Sequence, residues 1–296
     1  MIKETIAGID IGSNAIRLLI NYVEKEQETT TFKKALFIRV PLRLGEDVFT
    51  YKKISNEKIA KLCKAMRAFS ELMEVYDVKK FRACATSAMR EALNNKEIIR
   101  LIKQISGIDI EIISGIEEAK YVFAATSVES NNIIDKSKPY LYVDVGGGST
   151  ELIVYNEQQK KIISESFPIG TVRMLSNSIQ GDEWQYFTYR LKKIAEKYNP
   201  ACIIGSGGNI NKTFKILEKK EQELITCTEI KLLYDKIVEL SYEDRIKYMK
   251  LNEYRADVIV PALKIFLTVC KQCNIEQIMV PNVGLADGII RQLAHG

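Results

Sequence analysis

Two aspartates in this chain end apolar stretches and run straight into small-residue turns: Asp10 before Gly12-Ser13-Asn14, and Asp144 before Gly146-Gly147-Gly148-Ser149. A carboxylate at the end of a buried strand is costly unless it binds a cation or accepts hydrogen bonds. Small residues beside it let backbone amides close around an anion. That combination suits magnesium and phosphate, because magnesium takes one or two carboxylates and completes its shell with water and phosphate oxygens. Glu151 follows Asp144 by seven positions, across the turn, and is placed to point at the same ion. A third cluster, Gly205-Ser206-Gly207-Gly208, again follows an apolar strand and would complete a phosphate cradle. Each feature also has a plainer explanation: turn-capping acids for the aspartates, a strand-surface residue for Glu151, and hairpin turns for the glycines.

The rest of the composition narrows the chemistry. The single histidine, His295, is the penultimate residue, so Ser-His-Asp triads, Cys-His pairs, phosphohistidine and histidine-rich metal sites are excluded, and acid-base work falls to carboxylates. Gly205 to Ile210 lacks the third glycine of a dinucleotide fingerprint, and Asn211-Lys212-Thr213 lacks the glycine that precedes lysine in a P-loop. The net charge of +5, from 43 basic and 38 acidic side chains, is too small an excess to call for a nucleic-acid partner. No uninterrupted apolar run is long enough to span a membrane or form a signal-peptide core; the most apolar start, Ile6 to Ile20, is broken by Asp10, Asn14 and Arg17. A cytoplasmic protein is therefore expected. The six scattered cysteines are expected to be reduced thiols, and Cys270-x-x-Cys273 lies in an apolar stretch that reads as a core helix.

These residues must be positioned by strands and helices that the sequence also marks. Ile6 to Ile11, a turn, and Ala15 to Tyr22 read as strand-turn-strand, and Tyr140 to Val145 with Glu151 to Tyr155 repeats the same sentence. Each copy continues into a third strand, Thr30 to Ala35 or Lys161 to Ser166, and then a glycine loop carrying an arginine, Arg43 or Arg173. Two such units, separated by about 134 residues, the interval from Asp10 to Asp144, predict duplicated lobes facing each other across a cleft. Ser55 caps a predicted helix with Leu62, Met66, Phe69 and Met73 on one face, and Asn94 with Glu97 reads as a capping box for a second that Gly107 ends. Phe81 to Thr86, Ile108 to Ile112, Ala201 to Ile204 and Gln277 to Val280 read as further strands, and Ile210 to Glu218 as a helix. Another helix begins near Glu117-Glu118, where acids are common because they complement the helix dipole. The polar stretch Glu129 to Lys138 before Pro139 is the best candidate linker.

Five segments together resemble the exopolyphosphatase and guanosine pentaphosphate phosphohydrolase (Ppx/GppA) family: Asp10-Ile-Gly-Ser-Asn14, Ala85-Thr-Ser-Ala-Met-Arg90-Glu-Ala92, Ile112-Ile-Ser-Gly-Ile-Glu-Glu-Ala119, Val143-Asp-Val-Gly-Gly-Gly-Ser-Thr-Glu151 and Gly205-Ser-Gly-Gly208. The resemblance spans nearly the whole chain. It implies an α/β fold of duplicated ribonuclease H-like lobes, of the actin, sugar kinase and heat-shock chaperone type, around a central cleft. The lobes would cover 1–127 and 128–296, with the last helix, about 286–296, packing back on the first. It implies Glu118 as the catalytic base and Arg90 as a phosphate contact. It also implies phosphate binding by Gly12, Ser13, Asn14, Gly146, Gly147, Gly148, Ser149, Gly205, Gly207 and Gly208. Asp144 and Glu151 match the family's metal-binding acids, and Asp10 matches a further acidic turn with a metal or water-orienting role. The implied cofactor is Mg2+, with Mn2+ admitted, and the family also admits a homodimer.

The resemblance implies hydrolysis of a terminal phosphoanhydride by metal-assisted attack of water, on inorganic polyphosphate first and guanosine pentaphosphate as the alternative. A non-catalytic nucleotide or polyphosphate sensor and a phosphotransferase of the sugar or acetate kinase kind are the competing classes. Longer relatives carry a helical extension resembling an HD hydrolase domain that is absent from this sequence, which favours short polyphosphates or a nucleotide. Ala286 and Asp287 stand where relatives often show Arg and Glu, an expected change in substrate contacts.

Overall fold

The computed structural model describes residues 2–26, 29–126, 137–158, 160–220 and 222–295. The chain divides into two compact units, Met1–Ala125 with Gly284–Gly296, and Thr126–Val283. The linker expected at 129–138 lies outside the described residues apart from Ser137 and Lys138.

The first unit runs β1 (Ile2–Ile11), β2 (Ile16–Glu26), β3 (Thr29–Val40), α1 (Leu44–Tyr51), α2 (Asn56–Val75), β4 (Lys80–Ala85), α3 (Ser87–Glu91), α4 (Asn95–Ser106), β5 (Ile110–Ile112) and α5 (Gly115–Ala125). Its five strands lie in the order β3-β2-β1-β4-β5, antiparallel across the first three and parallel from β1 to β5. β1 is central and buried on both faces from Ile6 to Ile11, which explains its near-continuous apolar run. The edge strand β3 is longer than the sequence pattern suggested, because its exposed side carries lysines and threonine that mask the alternation.

The second unit continues with β6 (Tyr140–Val145), β7 (Thr150–Tyr155), β8 (Lys161–Phe167), α6 (Thr171–Leu175), α7 (Gly181–Tyr198), β9 (Cys202–Ser206), α8 (Gly208–Ile216), β10 (Ile225–Thr226), α9 (Cys227–Val238), α10 (Tyr242–Met249), α11 (Glu253–Ala256), α12 (Ile259–Cys273) and β11 (Gln277–Met279). Its sheet order is β10-β11-β9-β6-β7-β8. Apart from the short antiparallel edge strand β10, this repeats the first sheet strand for strand, with the same parallel and antiparallel pairings. The duplication read from the turns therefore extends to whole sheets. The core of this unit packs Leu141, Val143, Leu152 and Ile203 from the sheet against Phe187, Ile210, Ile230, Phe266 and Val269 from the helices.

Two local expectations change. Ser55 does cap α2, accepting from the Lys58 amide at 3.4 Å, but Asn94 makes no capping box. Its buried side chain instead accepts from the Ile54 amide at 3.1 Å and donates to the Ile54 carbonyl at 2.9 Å, tying α4 to the loop before α2. The cysteines also differ from the all-reduced expectation. Cys270 forms a disulfide with Cys227, joining α12 to the start of α9 with a Cα separation of 6.4 Å, while Cys273 stays a buried thiol. The near neighbour in sequence is not the partner in space: Cys270 meets Cys227 at the start of α9, whereas the Cys273 thiol contacts the Leu191 carbonyl of α7 at 3.6 Å.

The last helix, α13 (Leu285–His295), completes the first unit. Ile290 and Ala294 join Ile6, Leu19 and Val23 in one cluster, with Ala286 against β1. Backbones meet at two glycines: a methyl group on Gly8 would lie 2.5 Å from the Ala286 carbonyl oxygen, and one on Gly288 would collide with the Tyr121 carbonyl of α5. Asp287 accepts from the Gly284 amide at 3.0 Å, capping α13. Ala286 and Asp287 thus act within this helix junction: Ala286 lies at the close approach to Gly8, and Asp287 caps.

Gly288→Ala is expected to cost about 1–3 kcal/mol of stability in chemical denaturation, because the helix must move off α5 to admit the methyl. A second outcome concerns pH. Burial pushes the Asp287 carboxyl above its ordinary range, against opposing pulls from the Gly284 amide, Lys34, its own amide and Arg291. An acid whose folded value is raised adds stability below the ordinary carboxylate range and loses that contribution as pH rises through the folded value. Asp287→Asn, which keeps the capping oxygen, is expected to flatten this decline in a series of denaturation midpoints measured from acid to neutral pH.

Candidate active site

The duplicated sheets place two equivalent rows of side chains beside their glycine turns. In the first unit the row across β3, β2, β1 and β4 is Arg39, Arg17, Asp10 and Cys84. In the second, the row across β8, β7, β6 and β9 is Ser166, Glu151, Asp144 and Ser206. Directly opposed residues of an antiparallel pair share a face of the sheet, so Asp10 meets Arg17 and Asp144 meets Glu151. Arg17 Nη1 donates to Asp10 Oδ2 in a close ion pair. Asp10 is 5% exposed, Asp144 7% and Glu151 2%. One buried acid is thus answered by a guanidinium, whereas the other faces a second acid.

The second pair is held in place from its own strands. Glu151 Oε1 accepts from Ser149 Oγ at 2.6 Å and from Ser166 Oγ at 3.0 Å. Gly207 sits with φ of 111°, a conformation open to glycine, and a Cβ there would come within 2.5 Å of the Val145 carbonyl and 3.3 Å of Asp144 Oδ1. No cluster of three or more metal-ligating side chains occurs among the described residues. The donor set still fits magnesium, which asks for only one or two carboxylates and for room to keep water and phosphate oxygens. Asp144 and Glu151 supply the carboxylates, and the glycine walls at Gly146 and Gly207 supply the room.

The turn between β6 and β7 is oriented by its carbonyls. Gly146 O accepts from the Thr171 amide at 3.0 Å, Gly147 O from Val172 at 2.8 Å and Arg173 at 3.1 Å, and Gly148 O from Arg173 Nε at 2.8 Å. Across a trans peptide the amide points opposite to the preceding carbonyl. The amides of Gly147, Gly148 and Ser149 therefore turn away from α6, three successive donors of the kind that forms an anion nest. The backbones touch at Gly170, where a Cβ would collide with the Gly147 carbonyl. The first unit repeats part of this: Gly12 N donates to Ala15 O at 3.1 Å as Gly146 N does to Ser149 O at 3.0 Å, and Gly45 N caps Ser13 O at 2.8 Å. Ser13 Oγ and Ser87 Oγ share a 2.7 Å hydrogen bond, and the Asn14 carbonyl accepts from Arg43 N at 3.0 Å.

The third cluster splits. Gly207 and Gly208 lie at the β9–α8 turn, where Arg255 Nη1 donates to the Gly208 carbonyl. Gly205 instead lies inside β9, in the core, where a side chain would press on Ile278, Phe266 and Ile210. It makes room for packing; the turn begins two residues later.

In the first unit, Ser114 and Glu117 form the N-terminal cap of α5. Glu117 Oε2 accepts from the Ser114 amide and hydroxyl at 2.8 Å each, and the Glu117 amide donates back to Ser114 Oγ at 3.2 Å. Hydrogen bonds from the Ser114 amide, then from its hydroxyl, hold the Glu117 carboxyl below its ordinary range. Glu118, one position on, is half-buried. It shares surroundings with Asp10: burial first, then Glu111, with smaller contributions from Asp10 and Glu118, pushes the Cys84 thiol up to about 12, against the opposing pull of Arg82. Arg90 Nη1 donates to the Ile113 carbonyl at 2.7 Å, at the entry to α5. Arg17, Ser166 and Arg255 were missed in the sequence; Arg17 was legible, since it follows Asp10 by the same seven positions that separate Glu151 from Asp144.

No helix of the described residues is long and apolar enough to cross a membrane. A model of the Ppx/GppA phosphatase family matches residues 23–295. The chain is 32% identical over 234 residues to a bifunctional 3-dehydroquinate synthase/phosphatase of Fusobacterium nucleatum, covering 73% of this chain and 34% of that protein. It is 24% identical over 300 residues to a guanosine-5'-triphosphate,3'-diphosphate pyrophosphatase of Aeromonas salmonicida, covering 96% of this chain and 58% of that one. It thus spans about a third of the first relative's length and somewhat more than half of the second's. The solved structure of an exopolyphosphatase-like protein superposes with a TM-score of 0.80 at 26% identity, covering 99% of each chain. The fold is the duplicated actin-like, ribonuclease H-like one, and by the match over almost its whole length the chain belongs to the Ppx/GppA phosphatase family.

Proposed function

We propose that this protein hydrolyses the terminal phosphoanhydride of inorganic polyphosphate, releasing orthophosphate. The observation that carries the proposal is the opposed, buried pair Asp144 and Glu151 beside the three outward amides of Gly147, Gly148 and Ser149. Acids placed for a cation and amides placed for an anion are what a metal-bound phosphate requires. Magnesium, or manganese in its stead, would be held by Asp144 and Glu151 and would offset the charge of the phosphate oxygens. The amides hold those oxygens in place, and Ser149 keeps Glu151 oriented.

In the first unit Glu118 takes the proton of the attacking water, and Arg90 contacts phosphate. The water oxygen bonds to the terminal phosphorus as the bridging P–O bond breaks, and the shortened chain leaves with its electron pair. Glu117, committed to its cap, is excluded from the base role. Asp10, neutralised by Arg17, is left to fix the Gly12 turn. The absence of an internal histidine agrees with direct attack by water. A second substrate, guanosine pentaphosphate, is supported by the name of the Aeromonas relative and presents the same terminal bond.

Phosphate release from polyphosphate and guanosine pentaphosphate, with Mg2+ and with chelator, tests the assignment. Glu118→Gln is expected to lower kcat by at least about a hundredfold with little change in stability. Glu117→Gln is expected to do the reverse, leaving turnover within about twofold while costing about 0.5–1 kcal/mol through the lost cap. Equal turnover in wild type and Glu118→Gln would remove that residue from its role. Glu151→Gln is expected to raise the Mg2+ concentration for half-maximal activity about tenfold or more. Absence of phosphate release from both substrates would leave the family's fold serving as a sensor.

A further inference from the structure

The second unit gathers positive charge at one edge of the Gly207–Gly208 turn. Arg255, on α11, donates to the Gly208 carbonyl and lies 3.4 Å from Asn209 Oδ1. Lys212 stands one turn along α8; it is half-buried, and its ammonium lies 3.5 Å from the Lys250 carbonyl at the end of α10. Lys215 follows on the same helix, exposed. Burial, then the Arg255 guanidinium, then Lys215 hold the Lys212 ammonium below the ordinary lysine range.

Gathering like charges costs stability, and elsewhere this chain answers its cations with acids: Arg17 has Asp10, Arg190 has Glu165 and Lys219 has Glu229. Neither Lys212 nor Lys215 pairs with a carboxylate among the described residues. Through Arg255 the cluster adjoins a glycine turn that packs on Val145 and Asp144.

We infer that Lys212, backed by Lys215, is a substrate-binding residue for a phosphate further along the chain than the one released, which selects a linear oligophosphate tail over a single phosphate. This rests on the hydrolytic reading above and adds a subsite to it. The Cα–Cβ bond of Lys212 tilts toward the N-terminal end of α8, where the turn lies, as helical side chains do, and Arg255, which holds the Gly208 carbonyl, is among its charged neighbours. The ligand chemistry is shared by inorganic polyphosphate and a nucleotide 5'-polyphosphate.

Calorimetric titration of tripolyphosphate and of orthophosphate into the Glu118→Gln protein with Mg2+, with and without Lys212→Met, separates the subsite from general charge. Lys212→Met is expected to weaken tripolyphosphate about tenfold and orthophosphate less than about twofold, with Lys212→Arg restoring most of the loss. Lys236→Met, at an exposed position on α9, is expected to change neither. An unchanged tripolyphosphate affinity, an equal loss for both anions, or an equal loss from Lys236→Met would overturn the inference. Failure of the hydrolytic reading registers separately, as no phosphate release by the wild-type protein.

Discussion

Burying a carboxylate is tolerable only if an opposite charge or several donors meet it, and this constraint is applied twice at the same place in a duplicated fold. In the first sheet the cost is met internally, by Arg17 against Asp10. In the second, Glu151 stands at the position equivalent to Arg17, opposite Asp144. One difference of charge type between two copies of the same hairpin sets an acid opposite a guanidinium in the first and an acid opposite an acid in the second. The proposed division of labour between the units follows from that difference.

The glycine turns are shaped by what lies behind them. The carbonyls of Gly146, Gly147 and Gly148 are drawn to α6 and Arg173, so the following amides face the other way. The direction of these amides is thus set by the start of α6. Close backbone approach makes it possible: Gly170 rests on Gly147, and Gly207 on Val145. The same economy of space recurs in α13, where Gly8 and Gly288 let a helix lie against β1 and α5.

Chemical and structural roles are also divided among neighbours of one type. Glu117 and Glu118 are adjacent acids at one helix start, and the Glu117 carboxylate closes the cap. Cys270 and Cys273 are close on one helix, yet only Cys270 meets Cys227. Within Gly205-Ser-Gly-Gly208, the first glycine serves packing while the last two form the turn. In each case the direction of a side chain or a backbone vector separates residues that composition treats alike.

The sequence by itself determined most of the strands, several of the helices, the duplication, the family and the residues gathered around each turn. These are properties of local pattern: apolar periodicity, glycine at tight turns, and an acid kept at a costly position all leave marks within a few residues. Pairing between residues far apart in sequence leaves no such mark. That Asn94 reaches Ile54 across 40 positions, that Cys227 joins Cys270 across 43 and that Arg255 braces Gly208 across 47 were decided only when the chain folded. A contact between distant residues depends on how whole sheets and helices stack, and no window of sequence contains both partners.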